Sequence, residues 1–150
     1  MHPILRDLVG HMRWADALVA NALERDAPDD AESTRLFAHI ASVEHLWFSR
    51  IQGRAAAHAV WPSLTVDESR ALAAEHADLF EQLIADDTEL ARRVAYVNSA
   101  GKHFQSTVAD IVTHTAMHGS HHRGQILRAL RTLGHTPPYV DYIQYTRRDQ

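Results

Sequence analysis

The chain has 150 residues, enough for one domain (1–150) with a core that folds unaided. Apolar residues make up 45% and charged residues 23%, ordinary globular values, and the net charge of -4 with no basic block argues against a nucleic-acid backbone binder. There is no Cys, which excludes disulfides, Cys-ligated zinc and a thiolate nucleophile of the chain's own.

The start, Met1-His2-Pro3-Ile4-Leu5-Arg6-Asp7, lacks the basic and apolar regions of a signal peptide. No apolar run approaches the ~20 residues that span a bilayer. A cytoplasmic protein with no membrane partner is the expectation. Ile4, Leu8, His11, Ala15, Leu18 and Ala22 share one face of a first helix from Pro3 to Arg25, with Pro3 suited to its first turn. Ala27-Pro28-Asp29-Asp30 is a loop. Ser33 is the expected N-cap of a second helix, with Leu36, His39, Val43, Leu46 and Arg50 on one side and Gly53 as its stop.

Residues 54–64, containing Trp61-Pro62, form a longer connection. Thr65 and Glu68 then make a capping box for a third helix, which is expected to run to about Leu90 with Leu72, Leu79, Leu83 and Leu90 in the core. Two short extended stretches, 93–97 and 102–106, flank Asn98-Ser99-Ala100-Gly101 and read as a short β-hairpin or an extended loop. Thr107 starts a fourth helix to about Leu133, with Gly134 past its end. Pro137-Pro138 breaks the chain before a short final helix or turn over 139–147. Four long helices with short to medium connections predict an all-α four-helix bundle.

The chemistry concentrates in the fourth helix, in His118-Gly-Ser-His-His-Arg-Gly-Gln125. His118 and His122 lie four residues apart, one helical turn, so both imidazoles can serve one metal ion. A third His from a facing helix would complete a three-ligand site with open positions. His39 shares the inward stripe of the second helix and is the first candidate, while His45 lies nearer the opposite side and is the alternative. His114 is on the stripe of His118 but about two turns from His122, which makes it a neighbour of the site. His11 faces inward and is a candidate to line the pocket. His121 points about 100° from His122, toward the surface. The chain holds 12 His, so the pair also has an ordinary explanation as satisfied core residues. Arg123 can hold a carboxylate or pair with Asp or Glu across the bundle. Gly119 and Gly124 lower helix propensity and suggest close packing there.

The whole pattern resembles the DinB-like (DinB/YfiT) four-helix-bundle family. The resemblance is carried by His11-Met12-Arg13-Trp14-Ala15-Asp16, by Ser33 to Ile40 leading into Glu44, Trp47, Arg50 and Gly53, and by Tyr139-Val140-Asp141-Tyr142-Ile143. The most specific part is Asp110-Ile111-Val112-x-His114-x-x-x-His118-Gly-x-x-His122-Arg123-Gly124-Gln125-Ile126. The resemblance implies an up-up-down-down bundle, a homodimer, and one divalent metal held by His39, His118 and His122. Three imidazoles suit Zn, Ni and Fe alike.

Relatives in such a family include enzymes that use low-molecular-weight thiols, which implies a small-molecule substrate and a thiol S-transferase-like or hydrolase-like reaction. The rival expectation is a non-catalytic metal-binding or stress-response helical dimer. In that reading Glu44 or His45 supplies a fourth protein ligand.

Overall fold

The computed structural model describes residues 3–148. Helix α1 spans Pro3–Asp26 and α2 spans Ala31–Ile51. They are followed by α3, Val66–Leu83, and the single-turn α4, Asp87–Ala91. Strands β1, Arg93–Val97, and β2, His103–Thr107, lead into α5, Val108–Thr132, and a short α6, Tyr142–Thr146. No described helix is long and apolar enough to cross a membrane.

Side-chain pairings give the helix directions. Leu5 and Val9 cluster with Val108, Ile111 and Val112, and farther along Leu23 clusters with Ile126 and Leu130, so α1 and α5 run parallel. Trp47 meets His114 and His39 meets His118, so α2 and α5 are antiparallel. The ring pairs His45–His76 and Phe48–Phe80 make α2 and α3 parallel. Arg13 reaches Glu81 and Arg70 reaches Asn21, so α1 and α3 are antiparallel. Helices α1 and α2 each pack against both α3 and α5, which puts α1 and α2 on one diagonal of the bundle.

The order is therefore up-down-down-up, which corrects the expected up-up-down-down. Connection length is the physical reason. Residues 27–30 between α1 and α2 extend to at most about 14 Å, whereas α1 is about 36 Å long. So short a loop cannot carry the chain back to the start of α1, and α2 must reverse. The connection 52–65 extends to nearly 50 Å, enough to return along α2 at about 31 Å and let α3 run parallel to it.

Local boundaries follow from caps. Asp30, rather than Ser33, caps α2, its carboxylate accepting from the Ser33 amide at 3.1 Å. The predicted third helix breaks after Leu83, because Asp86 caps the separate α4 through the amides of Thr88 and Glu89. Thr65–Glu68 and Thr107–Asp110 form reciprocal capping boxes. Gly134, at φ +87°, ends α5 in the left-handed region that favours glycine, its amide bonding the Arg131 carbonyl.

The hairpin is real, with Arg93 opposite Thr107 and Val97 opposite His103. The Asn98 side chain closes its turn by accepting from the amides of Ala100 and Lys102.

Two core faces differ from the predicted stripes. On α1 the buried residues are Leu5, Val9, Met12, Val19, Ala20 and Leu23 alongside His11, Ala15, Asp16 and Ala22, while Ile4 is exposed. On α3 the core is Ala73, His76, Ala77 and Phe80; Leu72, Leu79 and Leu83 only flank it. Helix α3 packs against both α1 and α2, so its buried face is the one that lies between them.

Candidate metal centre

Helices α2 and α5 cross side by side, and three imidazoles meet between them. One ring nitrogen each from His39, His118 and His122 lies within 4.8 Å of the other two. Backbone and side-chain acceptors fix two of the tautomers. His39 donates its Nδ1–H to the Val60 carbonyl at 2.7 Å, and His122 donates its Nδ1–H to Gln125 Oε1 at 2.7 Å. Each of those rings therefore carries its free lone pair on Nε2. His39 Nε2 and His118 Nε2 face each other at 3.1 Å.

The donor set fits a divalent cation. Two nitrogens at about 2.0–2.1 Å from one ion, at angles between octahedral and tetrahedral, are about 2.8–3.4 Å apart. The 3.1 Å separation lies in that interval, and an imidazole oriented by an Nδ1–H to an oxygen acceptor is the usual form of a ligating His. Burial, reinforced by the neighbouring His122 and His39, lowers His118 to about 3, so this ring is neutral and presents a lone pair at ordinary pH. Burial also lowers His39, against the opposing hydrogen bond to Val60.

The connection after α2 acts as a strap along that helix. Its Ala57 amide donates to His45 Nε2 at 2.8 Å, its Ala59 carbonyl accepts from Ser42, and its Val60 carbonyl holds His39. Trp61 stacks on the His39 ring at 3.7 Å with only 6° between planes, and the Arg35 guanidinium lies 4.2 Å over the indole. These contacts fix the one imidazole of the three that α5 does not supply. The strap's role was not read from the sequence, although an isolated Trp before a Pro in a polar connection was a visible signal.

Two clefts flank the imidazoles. A cavity of about 400 Å³ is lined by His39, His118, His114, Trp47, Arg50 and Tyr96 among others, with the hairpin as one wall. A wider cleft of about 620 Å³ opens on the His122 side, between Arg35, Trp61, Gln125 and Arg128.

The remaining candidates lie as follows. His114 lines the 400 Å³ cavity, 6.0 Å from His118 between ring centres. His11 does not reach either cleft. It is buried beside Trp14, Tyr142 and Tyr145 and donates to the Val140 carbonyl at 2.7 Å, pinning the C-terminal segment to α1. His45 joins a different pair. With its Nε2 accepting from Ala57, its Nδ1–H donates to His76 Nε2 at 3.1 Å, and His76 donates onward to the Leu72 carbonyl.

Arg123 is 1% exposed and pairs with Asp16 of α1 at 2.8 Å, across the bundle rather than on its surface. Glu44 is buried beside that pair, its carboxyl next to the Asp16 carboxylate and not directly bonded to Arg123. Neither Glu44 nor His45 joins the three-imidazole group. The two glycines also differ from expectation. A Cβ on Gly119 would sit 2.8 Å from Arg123 Nη1, a side chain of the same helix, whereas Gly124 faces open space. His121 is exposed, as its helical angle indicated.

The sequence profile of the DinB family matches residues 8–150, nearly the whole chain. No curated protein matches it.

Proposed function

The chain belongs to the DinB family, and from that premise we propose that it is a metal-dependent enzyme whose divalent ion is held by His39, His118 and His122. The observation that carries this reading is the convergence of three imidazole nitrogens beside an open cavity, with no fourth protein ligand among the described residues. Three ligands with room beside them is the arrangement of a catalytic site, whereas a structural site is closed by protein. When bound, a divalent ion supplies Lewis acidity there, lowering the pKa of a water or thiol that reaches it.

The residues of the chain do the rest. His39 and His122 are held in the ligating tautomer by Val60 and Gln125. Trp61 covers one face of the His39 ring and limits access of water from that side. His114, on the cavity wall, has no hydrogen-bond partner for its ring nitrogens among the described residues, so it is free to accept or deliver a proton to a molecule bound there. A thiol-dependent transfer or a hydrolysis fits this set. A low-molecular-weight thiol as cosubstrate fits a chain that has no Cys of its own. Zn, Ni and Fe are the candidate ions, and a homodimer is the proposed assembly.

The test is elemental analysis of protein purified without a His-tag or nickel column, beside a His39→Ala/His118→Ala/His122→Ala variant. About one ion per chain in the parent and none in the variant supports the site. Thiol-transfer and hydrolysis screens on the loaded protein then test catalysis, and sedimentation tests the dimer. A parent that takes up no ion after reconstitution with Zn, Ni and Fe overturns the proposal.

A further inference from the structure

Arg50, in the last turn of α2, lines the 400 Å³ cavity next to His118 and His114. Its guanidinium lies 4.4 Å over the Trp47 ring and 5.1 Å over Tyr96, and Nη2 donates to the Val97 carbonyl at 3.1 Å. Three contacts from two elements hold the group in place, yet none of them neutralises it. Arg50 makes no ion pair among the described residues. The contrast is Arg123, the other inward guanidinium, which has the Asp16 carboxylate at 2.8 Å.

An arginine carries five N–H donors, and Arg50 uses one on protein. None of its unpartnered nitrogens is sealed from solvent, so they stay available to a ligand. No Asp or Glu lines this cavity, whose only other titratable walls are His39, His114, His118 and Tyr96. Partial burial lowers Arg50 from its ordinary value, which is the signature of a cation short of a counter-charge. Trp47, Tyr96 and Phe104 face the same space with Val43, Leu46 and Val60, and the hairpin turn adds the uncharged polar residues Asn98 and Ser99.

We propose that this cavity binds a small carboxylate with an apolar body, its carboxylate paired with Arg50 and its body against Trp47, Tyr96 and Phe104. A guanidinium presents parallel donors that match a carboxylate in a fork, and the stacked rings preorganise that fork. The volume is within the range of clefts that take small ligands, few polar groups fixing orientation within an apolar lining. His39 and His118 line the same cavity, so such a ligand would place its other end beside the metal centre. The assignment of substrate class rests on the metal-enzyme reading, but the Arg50 pocket is testable apart from it.

The experiment is calorimetric titration with 3-phenylpropionate and with its neutral isostere 3-phenylpropanamide. Both go into the parent, Arg50→Met and Arg50→Lys, each in zinc-loaded and EDTA-treated form. The expected result is that the parent binds the acid about tenfold or more tightly than the amide, with Arg50→Met reducing acid affinity to the level of the amide in both forms. Arg50→Lys, which keeps the charge without the fork, falls between.

Equal binding of acid and amide by the parent overturns the proposal. So does unchanged acid affinity in EDTA-treated Arg50→Met, or no binding to the parent at all. If Arg50→Met does not fold, as judged by circular dichroism, the acid–amide pair and Arg50→Lys still decide. Failure of the metal reading shows separately, as absence of zinc uptake, while the EDTA-treated titrations continue to report on Arg50.

Discussion

Burial raises Glu44 well above the ordinary carboxylate value, so replacing it with Gln should change how stability depends on pH. Its side chain is 1% exposed, and no cation bonds its carboxyl directly. Burial is the main force that raises it well above the ordinary carboxylate value. The Asp16 charge adds to that, and Arg123 only partly opposes it. One guanidinium serves two carboxylates here, and Asp16 holds it at 2.8 Å.

The unfolded chain releases the Glu44 proton above about pH 4.3, while the native state holds it to higher pH. A native pKa above the unfolded one gives a contribution that is complete below the unfolded value and is lost as pH rises toward the native one. In that window the loss is about 1.4 kcal/mol per pH unit. Glu44→Gln keeps the shape of the neutral acid and has no proton to lose.

Urea denaturation of both proteins at pH 5, 6 and 7, with EDTA present, measures the difference. Gln should gain on Glu by about 1.4 kcal/mol per unit until the native pKa is passed, after which the difference is constant. The neutral buried His45 and His76 act in the opposite sense, because burial lowers them and their stabilisation fades as pH falls. They are common to both proteins and cancel in the difference. Asp16→Asn supplies the companion test. Glu44 then becomes the sole counter-charge of Arg123 and gives up its proton, so the cost stays below the ~3–5 kcal/mol of an orphaned buried charge. Stability differences between parent and Glu44→Gln that do not change with pH would refute this reasoning.

Gly124→Ala and Gly119→Ala should move in opposite directions. The first fills open space on α5 and gains about 0.8–1.0 kcal/mol of helix propensity, and the second loses stability because its Cβ displaces Arg123 from Asp16; thermal melts of both decide. Zinc at a hundred times its dissociation constant should add about 2.7 kcal/mol, roughly 5–10 °C in melting temperature. Calorimetry should show that gain reversed by EDTA and absent in His118→Ala. Gln125→Ala should weaken zinc binding about 10-fold by freeing the His122 ring, measured by competition with a chromophoric chelator; unchanged affinity would show that Gln125 does not orient the ligand.

Much of this molecule was legible because its signals are local. The capping boxes at Thr65 and Thr107, the hairpin around Asn98–Gly101 and the one-turn spacing of His118 and His122 depend on residues within a few positions of one another. His39, Val43, Leu46 and Arg50 of the expected α2 stripe do line one cavity, but Leu46 and Arg50 are only half-buried, and the core face of α2 is Phe37, Ile40, Ala41, Glu44 and Phe48. Helix direction could also have been deduced, since a four-residue loop forbids two consecutive parallel helices. What the sequence concealed were tertiary choices. His11, His45 and His76 are as inward-facing as His39, yet each is satisfied by a partner that lies far away in the chain, at Val140, Ala57 and within the His45–His76 pair itself. Helical periodicity reports that a residue faces the core, but not what it meets there.

The division of labour between elements explains why His39, of those inward histidines, is the one that joins the α5 pair. Helix α5 fixes the His118–His122 geometry by itself, because both rings stand on one rigid turn. The third ring comes from an antiparallel neighbour, and its position depends on where α2 sits and how the ring is rotated. The strap removes the second freedom. Val60 accepts from Nδ1 and Trp61 stacks on the face, so His39 has one lone pair left and one direction in which to present it. His45, six residues farther along α2, is claimed by the same strap through Ala57, which takes its Nε2 and turns its other nitrogen toward His76. The segment that lets α3 run parallel to α2 thus also sorts two similar histidines into different roles. The long connection needed by the topology is the same structure that orients the His39 ring.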